Sequence, residues 1–340
     1  MPNCQRTVYD VAIIGAGPVG LFSVFTCGMM GLKAHVIDTL ETLGGQCTAL
    51  YPEKPIYDIP AFPSLTAGQL IENLTQQATP FGPTYTLGQK VSKLVQTTNH
   101  TWLLETDQGT KIEAKAVIIA AGAGAFGPNR PPLEDIELFE STHVFYHVTH
   151  KERFRGKRVV IAGGGDSAVD WAILLADIAS KVWVVHRRPQ FRASPESLHQ
   201  LKQCSDAGTI EMVIPYQLAR LEGSDGALTA VHVRTLAGEE RSLNADILLP
   251  FFGLSYDLGP LATWNLTLEH KHIQTNPATC ETNLPGIYAV GDIATYPHKR
   301  KLILCGFAEA AQAAQAIRSY LFPEHVFHFE YSTTSGIPKL

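Results

Sequence analysis

Val8-Tyr9-Asp10-Val11-Ala12-Ile13-Ile14-Gly15-Ala16-Gly17-Pro18-Val19-Gly20 decides the fold of this chain. A short apolar run closed by Gly-x-Gly-x-x-Gly, with small and apolar residues continuing to Met30, reads as a buried parallel strand, a tight turn and a crossover helix. Gly15 makes the turn, Gly17 lets backbone approach a pyrophosphate, and Gly20 permits close helix–strand packing. The helix N-terminus then faces the phosphate charge. Ala34 to Asp38 supplies the second strand of the βαβ unit. The pattern recurs later. Val159 to Ala162 leads into Gly163-Gly164-Gly165-Asp166-Ser167-Ala168, with Ala168 at the third glycine position, and a second unit runs from Arg158 to His186.

The two units end in opposite chemistry. Asp38 and His186 each stand 23 residues beyond the first glycine of their turn (38 − 15 and 186 − 163). A carboxylate there hydrogen-bonds a ribose diol. A cationic group there, His186-Arg187-Arg188 with Arg192 close behind, offers forked donors to a 2′-phosphate. One chain that binds two different dinucleotides reads most simply as a flavoprotein reductase. FAD goes to Gly15, Gly17, Gly20 and Asp38. NADPH goes to Gly163, Gly165, Ala168, His186, Arg187, Arg188 and Arg192.

Working outward, the Gly-, Pro- and Tyr-rich stretch from Gly44 to Pro63 reads as an ordered loop. Ser64 to Ala78 reads as a helix with Thr66 as its cap. Tyr85 to Lys111 alternates as strands, turning near Thr98-Asn99, and Ala116 to Ala121 is an apolar strand ending at Gly122. Ala123 to Pro132 is a loop-rich crossing. After the second βαβ unit, Ile210 to Asp246 reads as a strand meander and Ile247 to Phe252 as another strand. The pattern of the first domain then returns. Gly286 to Val290 is a strand closed by Gly291-Asp292, and Ala308 to Leu321 is an Ala-rich helix. The expected class is α/β: two Rossmann-like dinucleotide-binding domains of three-layer ββα type, one inserted in the other. Residues 1–124 and 254–340 form the FAD-binding domain, and 125–253 the NADPH-binding domain.

Composition narrows the function. The chain has 340 residues, 45% hydrophobic and 17% charged, enough for two domains with their own cores. A net charge of −5 argues against non-specific nucleic-acid binding. No run of eighteen apolar residues suggests a membrane span, and Met1 to Asp10 lacks the pattern of a signal peptide. The closest of the six cysteines, Cys27 and Cys47, are 20 residues apart (47 − 27), so there is no CxxC and no zinc-ligand spacing. The histidines form no HxxxH on a helix. A cytoplasmic protein with reduced thiols and no metal is the expectation.

The two fingerprints, Gly44-Gly45-Gln46, the basic run to Phe191-Arg192, and Gly286-Ile287-Tyr288-Ala289-Val290-Gly291-Asp292 together resemble the thioredoxin-reductase superfamily over nearly the whole chain. Thioredoxin reductases carry a CxxC just before the second fingerprint. Here that stretch is Val144-Phe145-Tyr146-His147-Val148-Thr149-His150, so thioredoxin reduction by that route is chemically excluded. Tyr51-Pro52-Glu53-Lys54-Pro55-Ile56-Tyr57-Asp58 and Tyr331-Ser332-Thr333-Thr334-Ser335 resemble a narrower family, the thioredoxin-reductase-like ferredoxin (or flavodoxin)–NADP⁺ reductases.

The resemblance implies a C-terminal tail over the flavin. By position, Tyr51 stacks on one flavin face and Tyr331 on the other, where many relatives have a histidine. Ser332 and Thr333 lie near the reactive edge. Gln46 and Asp38 hold the ribityl–pyrophosphate and adenosine ends, Val91 meets the adenine through backbone groups, and Phe126 packs near the flavin. Asp292 accepts from ribityl hydroxyls. Taken singly, either tyrosine reads as ordinary aromatic packing.

The implied reaction is hydride transfer from NADPH to flavin N5, then single electrons to ferredoxin or flavodoxin, with no acid–base pair. A homodimer is implied too. His298-Lys299-Arg300-Lys301 reads either as a docking patch for an acidic partner or as a solvated loop. Rival readings are a low-molecular-weight disulfide reductase using Cys47, a non-catalytic FAD/NADP(H)-binding sensor, and an NADPH oxidase. Against the first, such reductases carry a cysteine in the first glycine turn, where Val19 stands here.

Overall fold

Strand alternation sorts the first sheet into two faces. Along Val8–Ile14, Val11 and Ile13 point one way and Ala12 and Ile14 the other; along Lys111–Ile119, Ala116 and Ile118 oppose Val117 and Ile119. The first set packs with Val24, Cys27, Ala313 and Ile317 from two helices. The second packs with Trp102, Leu104 and Ile112 from an antiparallel layer. Helices against one face and antiparallel strands of the same sheet folded against the other follow from that one alternation. The structure is a computed structural model describing residues 7–224, 226–324, 333 and 336.

The chain divides into two units, Met1–Ala125 with Tyr256–Leu340, and Phe126–Ser255. In the first, the parallel strands run in the order Thr84–Thr86, Ala34–Ile37, Val8–Ile14, Lys111–Ile119. The long strand Lys111–Ile119 then changes partners. Its first half pairs antiparallel with Trp102–Thr106, which continues to Val91–Gln96. Its second half pairs parallel with Ile287–Ala289, a strand that arrives only after the other unit has been traversed.

The helices Pro18–Met29 and Ile303–Leu321 lie together, with Thr26 Oγ1 donating to the Ala310 carbonyl at 3.2 Å. The helix Ala67–Ala78 carries the expected cap. Gln69 N donates to Thr66 Oγ1 at 3.2 Å and Thr66 N to Gln69 Oε1 at 2.9 Å.

Three expectations need correction. Residues 44–63 are not all loop: Gly44 and Gly45, at φ +111° and +57°, turn the chain into a short helix, Gln46–Leu50, and Pro55–Ile56 pairs with Leu65–Thr66. The crossing contains a strand, Ala125–Pro128, paired with Leu254–Asp257. The last helix begins at Ile303 rather than Ala308, because extended Leu302 starts it on an apolar first turn instead of the Ala-rich stretch.

In the second unit the parallel sheet runs Ile210–Val213, Lys181–Val185, Arg158–Ala162, Ile247–Pro250. The meander is shorter than expected, Gln217–Ser224, Ala227–Arg234 and Glu240–Leu243; Ile210–Val213 is instead an edge of the parallel sheet. Val160, Ala162, Val185, Val213 and Leu248 bury one face of that sheet with Leu228, Val231, Val233 and Leu243 of the meander. The helix Pro195–Asp206 was not anticipated. Ser194 caps it, its Oγ accepting from Ser197 N at 3.2 Å, with Pro195 at the first position.

One buried histidine ties stability to pH. His35 is buried between strands, its Nε2 2.8 Å from Thr86 Oγ1 and its ring edge-on to Tyr9, while Nδ1 is buried with no partner. Burial lowers its pKa to about 4, so the folded state keeps the ring neutral. The unfolded ring takes its proton near ~6.5. The neutral ring's contribution is therefore complete above ~6.5 and is lost as pH falls towards about 4, about 3 kcal/mol in all. Thermal melts across that window should show a steep acid-side loss that His35→Gln flattens; an unchanged slope would remove His35 as its source.

Candidate functional site

In the first unit, Gly15 has φ +109° and its N–H donates to the Ile37 carbonyl at 2.8 Å, locking the turn to the neighbouring strand. A Cβ on Gly20 would overlap the Gly15 carbonyl oxygen, whereas one on Gly17 would meet open space. Gly17 is the N-cap of the helix Pro18–Met29, with no side-chain cap, so the helix presents its first-turn N–H groups and positive dipole end. The second glycine pair is pressed against this turn. Gly44 N donates to the Ala16 carbonyl at 2.8 Å, and a Cβ on Gly45 would lie 3.1 Å from Gly17 Cα. Gln46 begins the next helix, with its amide near Gly122.

Asp38 is 9% exposed at the end of the second strand. Its Oδ2 accepts from Ala16 N at 2.5 Å and its Oδ1 from Leu40 N at 2.8 Å. Burial raises its pKa and these hydrogen bonds oppose the rise. The carboxylate thus braces the glycine turn as well as standing where a ribose diol belongs. Gln89 N donates to the Asp38 carbonyl at 3.0 Å and Gly88 N to the Leu40 carbonyl at 2.9 Å. That segment leads directly to buried Val91, opposite Thr106 at the start of its strand.

The Gly291-Asp292 turn comes to the same place. A Cβ on Gly291 would lie 3.4 Å from Val19 Cγ2, and one on Gly306 would lie 3.3 Å from Gly291 Cα. Asp292 is exposed, and its charge is felt at Cys47. Cys47 is buried, with Sγ 3.7 Å from the Tyr51 hydroxyl; desolvation first, then Asp292, push its thiol up to about 11. The first unit therefore gathers Gly15, Gly17, Gly20, Asp38, Gln46, Tyr51 and Asp292 around one helix N-terminus. Tyr331 lies outside the described residues, as do Ser332 and Thr334. Thr333 is described and exposed, and Phe126 is described only for its backbone, on the strand Ala125–Pro128.

The second unit repeats the device with other ends. Gly163, at φ +156°, donates from its N–H to the Val185 carbonyl at 3.0 Å, and a Cβ there would lie 2.6 Å from the Phe251 carbonyl oxygen. Ala168 is buried and fills the third glycine position, its methyl 3.0 Å from where a Gly163 Cβ would stand. Gly165 caps the helix Asp166–Ala176 without a side-chain cap. The basic loop is pinned at several points. His186 Nε2 lies 3.2 Å from the Gln190 carbonyl, Arg192 N donates to the Gly164 carbonyl at 2.6 Å, and Ser194 N donates to Asp166 Oδ1 at 3.1 Å. The His186 ring covers Gly164 and tilts against Phe191 at 4.9 Å. Burial, opposed by the Gln190 bond and aided by the three arginines, lowers its pKa. Arg187, Arg188 and Arg192 are exposed, and among the described residues no carboxylate pairs with them.

A family model described as pyridine nucleotide-disulphide oxidoreductase matches residues 9–317. The chain belongs to that family. The ferredoxin–NADP reductase of Paramagnetospirillum magneticum is 60% identical over 330 residues, 97% of this chain and 98% of that protein. The protein of the same description from Rhodospirillum rubrum is 58% identical over 334 residues, 97% of each chain. At that identity and coverage the chain is a member of the ferredoxin–NADP reductases, and an oxidoreductase. Among solved structures, thioredoxin reductase from Lactococcus lactis aligns with TM-score 0.78 at 23% identity, covering 93% of this chain and 99% of that one. Bacillithiol disulfide reductase from Bacillus cereus aligns with TM-score 0.74 at 19% identity, covering 92% and 99%. These two likenesses are of fold alone.

One expected surface is corrected. Within His298-Lys299-Arg300-Lys301, Lys299 does not face a partner: its side chain is 5% exposed and pairs with buried Glu309. A lysine so placed needs an internal carboxylate, and the last helix supplies it. Lys301 Nζ lies 2.6 Å from His272 Nε2, and His298 and Arg300 are exposed. Glu309 itself was missed. A lone glutamate in an Ala-rich helix looks solvated, and only its spacing onto the buried face with Ala310, Ala313 and Ile317 signals otherwise.

Proposed function

We propose that this enzyme carries electrons between NADP(H) and ferredoxin or flavodoxin through a bound FAD. The observation that carries the reading is the pair of glycine turns, one ended by the braced carboxylate of Asp38, the other by three exposed guanidinium groups. FAD fits the first unit because the Gly17 position is open beside an uncapped helix end, a cradle that a side chain would fill. Gly15, Gly17, Gly20 and Gln46 would hold the pyrophosphate and ribityl end, Asp38 and Val91 the adenosine, Asp292 the ribityl hydroxyls, and Tyr51 one ring face. Tyr331, Thr333 and Phe126 complete that set by resemblance. In the second unit Gly163, Gly165 and Ala168 would bring backbone to the NADPH pyrophosphate, with Arg187, Arg188 and Arg192 on the 2′-phosphate and His186 shaping the loop. When bound, FAD links the two-electron chemistry of NADPH to one-electron acceptors.

The protein's own work is placement. Asp38 keeps the glycine turn closed, the helix end opposes phosphate charge, and buried Cys47 packs against the Tyr51 hydroxyl. The Cys47 thiol, buried and raised to about 11, is a poor nucleophile at neutral pH, which disfavours the disulfide-reductase rival. No described helix is long and apolar enough to cross a membrane. A homodimer is part of this reading by resemblance alone, and a cytoplasmic location by the cysteine spacing.

Anaerobic titration tests the proposal. The purified protein should be yellow, bleach with about one equivalent of NADPH per FAD, and recolour on adding oxidised ferredoxin or flavodoxin. Colourless protein, or bleaching without recolouring, would overturn it. Docking of an acidic ferredoxin on Arg300, Lys301 and His298 further implies salt sensitivity. Turnover with ferredoxin should fall about threefold or more between low and moderate salt, with little change for an uncharged quinone. Equal responses would take this patch out of consideration.

A further inference from the structure

Glu309 is 2% exposed, the most buried carboxylate among the described residues. Its Oε2 accepts from Gly291 N at 2.7 Å, and its Oε1 accepts from the Tyr296 hydroxyl at 2.6 Å and from Lys299 Nζ. Burying such a pair is a poor way to stabilise a fold, because desolvation offsets most of the attraction. All three donors lie on the segment 291–299, which leaves the strand Ile287–Ala289 and contains Asp292. One carboxylate therefore grips that segment at its start, middle and end. Gly291 is held at φ +75°, a backbone conformation that few other residues tolerate. Asp292 itself is exposed, so its position is inherited from the backbone on either side of it.

We propose that Glu309 is a positioning residue for FAD. It holds the segment 291–299 so that the Asp292 carboxylate meets the cofactor's ribityl hydroxyls, and it does not touch the cofactor itself. This rests on the FAD reading above. The Cys280 thiol donates to the Glu309 carbonyl at 3.6 Å, so the helix backbone is held at the same residue as its carboxylate.

A double-mutant cycle on the holoprotein separates this role from a merely structural one. FAD release is followed by the rise of flavin fluorescence on dilution, alongside the visible flavin spectrum and the thermal midpoint. Glu309→Gln keeps the shape but removes the charge that holds Lys299. It should release FAD about tenfold faster and shift the flavin bands, and Asp292→Asn should act similarly. In the double variant, Glu309→Gln should add less than about twofold to the Asp292→Asn rate, because both act through one contact. Release rates that multiply, or unchanged release from Glu309→Gln, overturn the proposal. Should Glu309→Gln not accumulate as folded flavoprotein, Tyr296→Phe removes one of the three donors and takes its place in the cycle. Multiplying or unchanged release rates from that variant overturn the proposal equally. A wild-type protein without FAD would instead sink the underlying reading.

Discussion

The double variant Arg187→Ala, Arg188→Ala should bind NADPH about 100-fold more weakly while its affinity for NADH barely moves. A hydrogen bond to a charged group is worth about 1.5 kcal/mol at the low end, the proper end for exposed side chains, and two such losses make about two decades of affinity. The low end is appropriate because all three arginines are exposed. Their loop is nonetheless fixed. Arg192 N is bound to the Gly164 carbonyl at 2.6 Å and Ser194 N to Asp166 Oδ1 at 3.1 Å, so the remaining chain cannot swing in to replace the lost donors. Titrating both coenzymes by protein fluorescence measures the ratio. Equal losses for the two would mean that the arginines read something other than the 2′-phosphate.

Gly20→Ala should be at least as damaging, and by a different route. The new Cβ would overlap the Gly15 carbonyl oxygen, which is backbone and cannot rotate away. Helix and turn must separate, at a cost of about 3 kcal/mol or more, and the pyrophosphate cradle opens with them. The protein should purify largely without flavin and with a lowered denaturation midpoint. Gly17→Ala supplies the contrast. Gly17 has φ −69° and open space around its Cβ position, so stability should be almost untouched while the methyl obstructs the phosphate. If both variants kept FAD, or if both unfolded alike, the division of labour among these glycines would be wrong.

The parts of the fold that were legible are those where backbone geometry demands one residue type. Gly15 and Gly163 need positive φ and close carbonyl contacts, and such demands are visible as letters. The class of fold followed from two of these turns between apolar strands. Asp38 was legible by its spacing, though its grip on Ala16 N was not, because a hydrogen bond to backbone leaves no trace in the partner's identity. Helix Pro195–Asp206 was overlooked although Ser194-Pro195 announces it; its exposed polar face lacks the apolar period that draws attention. Lys299 and Glu309 were hidden for a stronger reason. Each looks solvated by itself, and only tertiary contact between a loop and a helix reveals that they bury one another.

The strand Lys111–Ile119 has its last neighbour, Ile287–Ala289, encoded far downstream, beyond the whole of Phe126–Ser255. A ribosome therefore finishes the inserted unit while the surrounding one still lacks a strand of its parallel sheet and both Gly291 and Glu309. The inserted unit has all its strands in hand and can close during translation, whereas its host must wait for the end of the message. Nascent chains arrested after Ser255 has left the ribosome but before Ile287–Ala289 emerges should thus already retain the phosphorylated nicotinamide coenzyme on an affinity resin, and acquire flavin only when elongation resumes.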